Sequence, residues 1–180
     1  MISAPPSSLF FILIIVALLA IAGAYWNSLL SDARRAKVSF ISAQLKYLYG
    51  PLYAMSHASE TAWETFRKQH RHGRAFVDPA NPPTQAEIDE WVRWVRLVFT
   101  PMNERMVNTI IEHTDLIDGR MPTAFLELVA HVEGYKAVLD KWGQGDFTEF
   151  NSAVNFPREF NSKIKNTFEI LSERRAKLMR

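Results

Sequence analysis

Apolar residues fill positions 9–24 without a single charge, and beyond them apolar and polar positions alternate with a helical period. A helix crossing the hydrocarbon core of a bilayer needs roughly 20 apolar residues to span about 30 Å. Adding the Ser-rich entry (Ser7, Ser8) and the pair Tyr25-Trp26 brings the uncharged stretch to that length, so residues 8–26 read as a transmembrane helix in contact with a lipid bilayer. From Phe40 onward, Ile41, Leu45, Leu48, Leu52, Met55, Ser59, Ala62 and Phe66 recur every three or four residues, with Ser59 the one polar member. That spacing is one face of a helix. The pattern crosses Gly50-Pro51 in phase, which predicts a helix kinked there, because an interior proline removes a hydrogen bond and bends the axis.

Residues 73–83 read as a loop, with Asp78-Pro79 and Asn81-Pro82-Pro83 as breakers. Thr84-Gln85-Ala86-Glu87 fits a capping box opening a helix whose stripe is Ile88, Trp91, Val92, Val95, Val98 and Phe99. The stripe resumes after Pro101 as Met102, Met106, Ile110, His113 and Ile117, with Gly119 as a stop. Pro122 suits the first turn of a helix carrying Phe125, Leu128, Val129, Val132, Tyr135, Leu139 and Trp142, which ends at Gly143. Residues 144–156 are irregular, and Pro157 opens a last helix with Phe160, Ile164, Phe168, Leu171 and Leu178 facing inward. No alternating β pattern and no internal repeat stands out. The expectation is an all-α chain: an N-terminal tail and transmembrane helix over residues 1–26, a juxtamembrane helical stalk over 27–49, and a soluble domain over 50–180. Short connections favour an antiparallel up-down bundle of about four helices in that domain.

The flanks of the apolar segment carry further information. Ala20-Ile21-Ala22 and Ala22-Gly23-Ala24 resemble signal-peptide cleavage sites, yet the residues before the apolar run contain no Lys or Arg. Asp32, Arg34, Arg35 and Lys37 follow it instead, and Tyr25 and Trp26 lie where an interfacial aromatic belt would. A retained anchor is the preferred reading over a cleaved signal. Positive residues beside a span stay cytoplasmic, which places the N-terminus outside and residues 27–180 inside. In the up-down order Arg174, Arg175, Lys177 and Arg180 return toward Arg34, Arg35, Lys37 and Arg120, as a basic collar against an anionic leaflet. The alternative is a solvated helix end whose charges suit the C-terminal dipole.

Composition removes several chemistries. There is no cysteine, hence no disulfide and no thiolate, and the net charge of +2 from 21 basic and 19 acidic residues argues against nucleic acid as a partner. A second basic run, Arg67, Lys68, His70, Arg71, His72 and Arg74, reads as a solvated helix end, or else as a hold for a phosphate or an acidic partner. No Gly-x-Ser-x-Gly elbow, phosphate loop, HExxH or dinucleotide fingerprint is present, and no catalytic residue or cofactor is assigned. Weak metal candidates are His57 with Glu60 and Glu64 at helical spacing, and His113 and His131, which antiparallel neighbours could bring together. Against them stands a buried imidazole satisfied by a carbonyl, a tyrosine or water.

The anchor leading into Arg34-Arg35-Ala36-Lys37 resembles a group of uncharacterised bacterial membrane-anchored helical proteins. The segments 48–53, 99–104, 130–136 and 155–157 are similar to those of the same group. The resemblance implies a bacterial inner-membrane location and carries no activity or functional residue. Three functions remain open. One is a membrane-tethered interaction module for an unknown protein partner or a second copy, with Phe147 and Phe150 as candidate contact residues. The second is a regulatory or defence effector acting through a span whose Ala20, Gly23 and Ala24 permit close helix pairing. The third is a metal-binding or enzymatic bundle.

Overall fold

The computed structural model describes residues 6–71, 80–150 and 152–180, and every regular element among them is helical. α1 (Pro6–Ala43) passes through a π-helical segment, Gln44–Tyr49, straight into α2 (Gly50–His70). The apolar segment, the region expected as a stalk and the first helix of the body are thus one rod. Its 62 residues from Leu9 to His70 give a length of roughly 93 Å at 1.5 Å per residue. α3 (Gln85–Trp94) continues in the same way through a second π segment, Val95–Phe99, into α4 (Thr100–Glu112). A 3₁₀ turn, Thr114–Leu116, follows, and then α5 (Thr123–Gly143) and α6 (Phe160–Leu178).

Both π segments precede a proline by the same register. The Gly50 N–H donates to Leu45 O one residue before Pro51, and the Thr100 N–H donates to Val95 O one residue before Pro101. A proline inside a regular helix has no N–H to give and its ring strikes the carbonyl four residues back. A π turn adds a residue to the loop of the helix and widens it locally, so each chain passes its proline without ending. The expected kink at Gly50-Pro51 is therefore a widened turn in an uninterrupted helix.

Two apolar clusters hold the body together. The larger joins Ile41, Leu45, Leu48, Tyr49 and Leu52 to Met106, Ile110, Phe125, Leu128, Phe160, Ile164 and Leu171. The smaller joins Phe66 to Trp91, Val95, Phe99, Val138 and Trp142. Each such side chain contributes about 1.5–3 kcal/mol when fully buried. The core begins at Ile41 and includes the buried Gln44, whose Nε2 donates to Leu116 O at 2.8 Å. Part of the segment 27–49 thus belongs to the body instead of lying below it as a free stalk.

Other boundaries follow the sequence closely. Thr84 and Glu87 make the reciprocal capping box, with the Thr84 N–H donating to Glu87 Oε2 at 2.7 Å. α5 ends at Gly143, and Gly119 takes a positive φ of 77° in the turn before it. α4 stops earlier than its stripe suggested, at Glu112, because Leu116 turns back to cover Gln44. α6 packs along the long helix: Phe168 stacks on Tyr53 at 5.0 Å, and Arg34 Nε donates to Leu178 O at 2.6 Å. That bond brings the C-terminal basic residues to the end of the body nearest the apolar segment. α6 starts beside Phe125 (5.9 Å from Phe160) and not beside Trp142, since residues 144–150 and 152–159 cover the far half of α5 as irregular chain.

Candidate functional site

The irregular chain closes the far half of the body incompletely, leaving a cavity of about 550 Å³. Its walls come from α2 (Ser59, Glu60, Trp63), from α3 through α4 (Trp91, Val95, Phe99, Thr100, Asn103) and from α5 (His131, Val132, Tyr135). Residues 152–161 supply the remaining side. The second π segment therefore contributes directly to the wall. Trp63 meets Trp91 and Phe99 edge-on at 5.7 and 6.2 Å, so the aromatic side of the cavity is held by ring-to-ring contacts.

Three aromatic donors pin the irregular chain. Trp91 Nε1 donates to Phe150 O at 2.9 Å, the Tyr135 hydroxyl donates to the same carbonyl at 3.3 Å, and Trp142 Nε1 donates to Glu149 O at 2.8 Å. Burial pushes the Tyr135 hydroxyl up to about 12, tempered by a hydrogen bond with the Ser152 backbone. Ser152 is seated by close approach to α5: a Cβ on Gly134 would come 2.5 Å from its Oγ. That hydroxyl donates to His131 O and accepts from the Val154 N–H, both at 3.2 Å.

His131 is buried, with Nδ1 2.6 Å from Val154 O. A carbonyl can only accept, so Nδ1 carries the proton and Nε2 is an acceptor. Burial lowers its pKa below the ordinary 6.5, partly countered by the Val154 carbonyl. Tyr135 and Phe156 stand edge-on to the ring at 5.2 and 5.6 Å. The neighbouring Asn103 is 8 % exposed and its Oδ1 has no hydrogen-bond partner; the Oδ1 of Asn161 is in the same position. Among the described lining residues, charge is confined to the exposed Glu60 and Arg158.

The residues singled out from sequence are scattered. His113 lies half-buried against Tyr47 (5.7 Å), near the turn that covers Gln44, while His131 lies in the cavity wall and bonds Val154. His57 is exposed and stacks on Tyr53 at 6.3 Å; Glu60 reaches the cavity rim and Glu64 is exposed. Among the described residues no three His, Cys, Asp or Glu side chains are grouped to hold a metal ion. Phe150 packs into the smaller cluster, whereas Phe147 lies over Trp142 (6.4 Å) and is 38 % exposed.

In the second basic run Arg71 is not solvated: its side chain is 4 % exposed, and it donates to Glu87 at 3.3 Å and to Asn81 O at 2.7 Å. His72 and Arg74 lie outside the described residues. Asn103, Asn161, Ser152 and Trp63 were not anticipated as site residues. Ser59, the polar exception in an apolar stripe, was the one available signal, and it lines the cavity. No protein-family model, curated protein or solved structure matches this chain.

Proposed function

We propose that this chain is a membrane-tethered, non-enzymatic interaction module. Residues 8–26 span a bacterial inner membrane with the N-terminus outside, and the body is an up-down bundle on the cytoplasmic face. It offers its surface to a protein partner or a second copy. One observation carries the reading. A single helix from Leu9 to His70 is wholly exposed over its most apolar window and then supplies buried core residues of the body. An apolar run that none of the described residues covers calls for another apolar medium, and its length matches a bilayer. The contact between Arg34 and Leu178 supports the orientation, because it gathers Arg34, Arg35, Lys37, Arg174, Arg175, Lys177 and Arg180 at one end. Each contributes around 1 kcal/mol beside an anionic leaflet. The bacterial setting rests on the sequence resemblance.

The chain has no cysteine, so single substitutions report topology without background. Ser3→Cys is expected to react with a membrane-impermeant maleimide on intact cells, and Lys165→Cys only after permeabilisation. Carbonate-extracted membranes should retain both. Release into the soluble fraction, or the reverse labelling pattern, overturns the reading. Because Phe147 is the exposed member of its pair, Phe147→Ala is the variant for pull-down of a partner.

A regulatory effector is the second reading, favoured by one specific arrangement. Ser59, Glu60 and Trp63 line the cavity and belong to the same helix as the apolar segment. A change in the cavity wall would reach the span without crossing a loop. Growth arrest on overexpression, abolished by Leu at Ala20 and Ala24, would favour this reading.

A further inference from the structure

Going beyond the tethering role, we propose that the cavity binds haem, with His131 Nε2 as the protein ligand to its iron.

His131 meets the demands that a metal makes on an imidazole. A ligating histidine offers one ring nitrogen unprotonated and ties the other by its N–H to a carbonyl or carboxylate, which fixes the ring and raises its basicity. Here Nδ1 donates to Val154 O at 2.6 Å, and the lone pair is left on Nε2. Burial, which lowers the pKa, keeps the ring neutral at pH 7. Among the described residues Nε2 has no hydrogen-bond partner, and it is not one of the polar atoms sealed from solvent. His131 is only 7 % exposed and borders the cavity, so that nitrogen opens into it.

One imidazole does not hold a bare ion, since protein metal sites use three or four side-chain ligands. Among the described residues no three His, Cys, Asp or Glu side chains are grouped for one. The metal must therefore arrive with most of its coordination filled. Haem does so: the porphyrin supplies four nitrogens, and the protein adds an axial ligand that is often histidine.

The rest of the cavity suits the macrocycle. Its volume of about 550 Å³ lies within the range of small-molecule and cofactor pockets, roughly 300–1,000 Å³. Trp63, Trp91, Phe99 and Phe156 offer flat apolar faces against which a flat ring packs well. The two propionates of haem need water or a cation. Arg158 stands exposed at the rim, on the same irregular segment as Val154, while Glu60, the one carboxylate among the described lining residues, is on α2.

The test adds haemin to the full chain in lipid nanodiscs, with empty nanodiscs as the blank because haemin also enters lipid. Absorption titration should give a Soret band that saturates at one haem per chain. His131→Gly should weaken binding by more than about tenfold, the least that loss of even an outer-shell partner costs a metal site. Imidazole in the buffer should then restore the parent spectrum, a rescue that a merely structural role would not show. His57→Ala and His113→Ala should bind like the parent. Ser59→Phe, at a half-buried wall position, should block uptake and decides the matter if His131→Gly does not fold. The proposal is overturned by no saturable band above the blank, by parent-like binding in His131→Gly or Ser59→Phe, by loss of binding in His57→Ala or His113→Ala, or by a folded His131→Gly chain that imidazole does not rescue.

Discussion

His131 shows how one residue can be anticipated in kind and still be read only from its surroundings. Its place at the edge of an apolar stripe indicated a buried imidazole with some partner, and the Val154 carbonyl, 23 residues away, is that partner. Its folded pKa lies below the ordinary value, so the unfolded chain takes up the proton first as pH falls. The stability from a neutral, buried ring is full above about pH 6.5 and is lost as pH drops through the lower folded value. The melting temperature should therefore fall between about pH 7 and pH 5, and His131→Gln should flatten that fall in a thermal scan; an unchanged slope would assign the loss to other groups. At the C-terminal end of α2, Arg71 answers a cluster that reads as solvated from sequence. Its bonds to Glu87 and Asn81 O tie the end of α2 to the start of α3, and Arg71→Met should cost about 1.5–3 kcal/mol in urea denaturation, the range for hydrogen bonds to charged groups. Thr84→Ala, which removes the cap, should cost about 1 kcal/mol.

At the scale of elements, the prolines are the instructive case. Sequence periodicity carries the stripe across Gly50-Pro51 in phase and resumes it after the interruption at Pro101, and both helices do continue. How they continue was not legible, because a π turn is chosen by where displaced carbonyls can find donors, and that depends on packing around the bend. Gly50 is required at the first of these turns: a Cβ there would collide with the Leu45 carbonyl oxygen and approach Phe168 at 3.8 Å. Gly50→Ala is expected to destabilise by about 1–3 kcal/mol through overpacking, although alanine is ordinarily the better helix former. A gain in stability would mean that the turn relaxes to regular α-helix. Gly134 plays a comparable part on α5, where its bare backbone admits Ser152 and so sets one wall of the cavity.

For the whole molecule, the decisive contact is between Arg34 and Leu178. The expectation that the C-terminal positive charges return toward the span rests on counting helices; what the hydrogen bond gives is Leu178 beside Arg34. For a chain starting at Asn27, flotation with anionic vesicles should weaken when Arg174, Arg175, Lys177 and Arg180 become Gln. The expected loss is up to roughly 1 kcal/mol per charge and smaller at high salt. Unchanged flotation would leave those residues as an ordinary helix end.

Helix content, the apolar leading segment, the capping box at Thr84 and the inward stripes were determined by the sequence alone, because each depends on residues within a few turns of one another. Tertiary structure decided the rest. It made the leading segment and the body one rod, started α6 beside Phe125, and left the far half of the body closed by irregular chain around a cavity with an unpaired Asn103. Those features arise where segments distant in sequence compete for the same space. Local periodicity describes which face a helix buries, but not how much room remains once every face is buried.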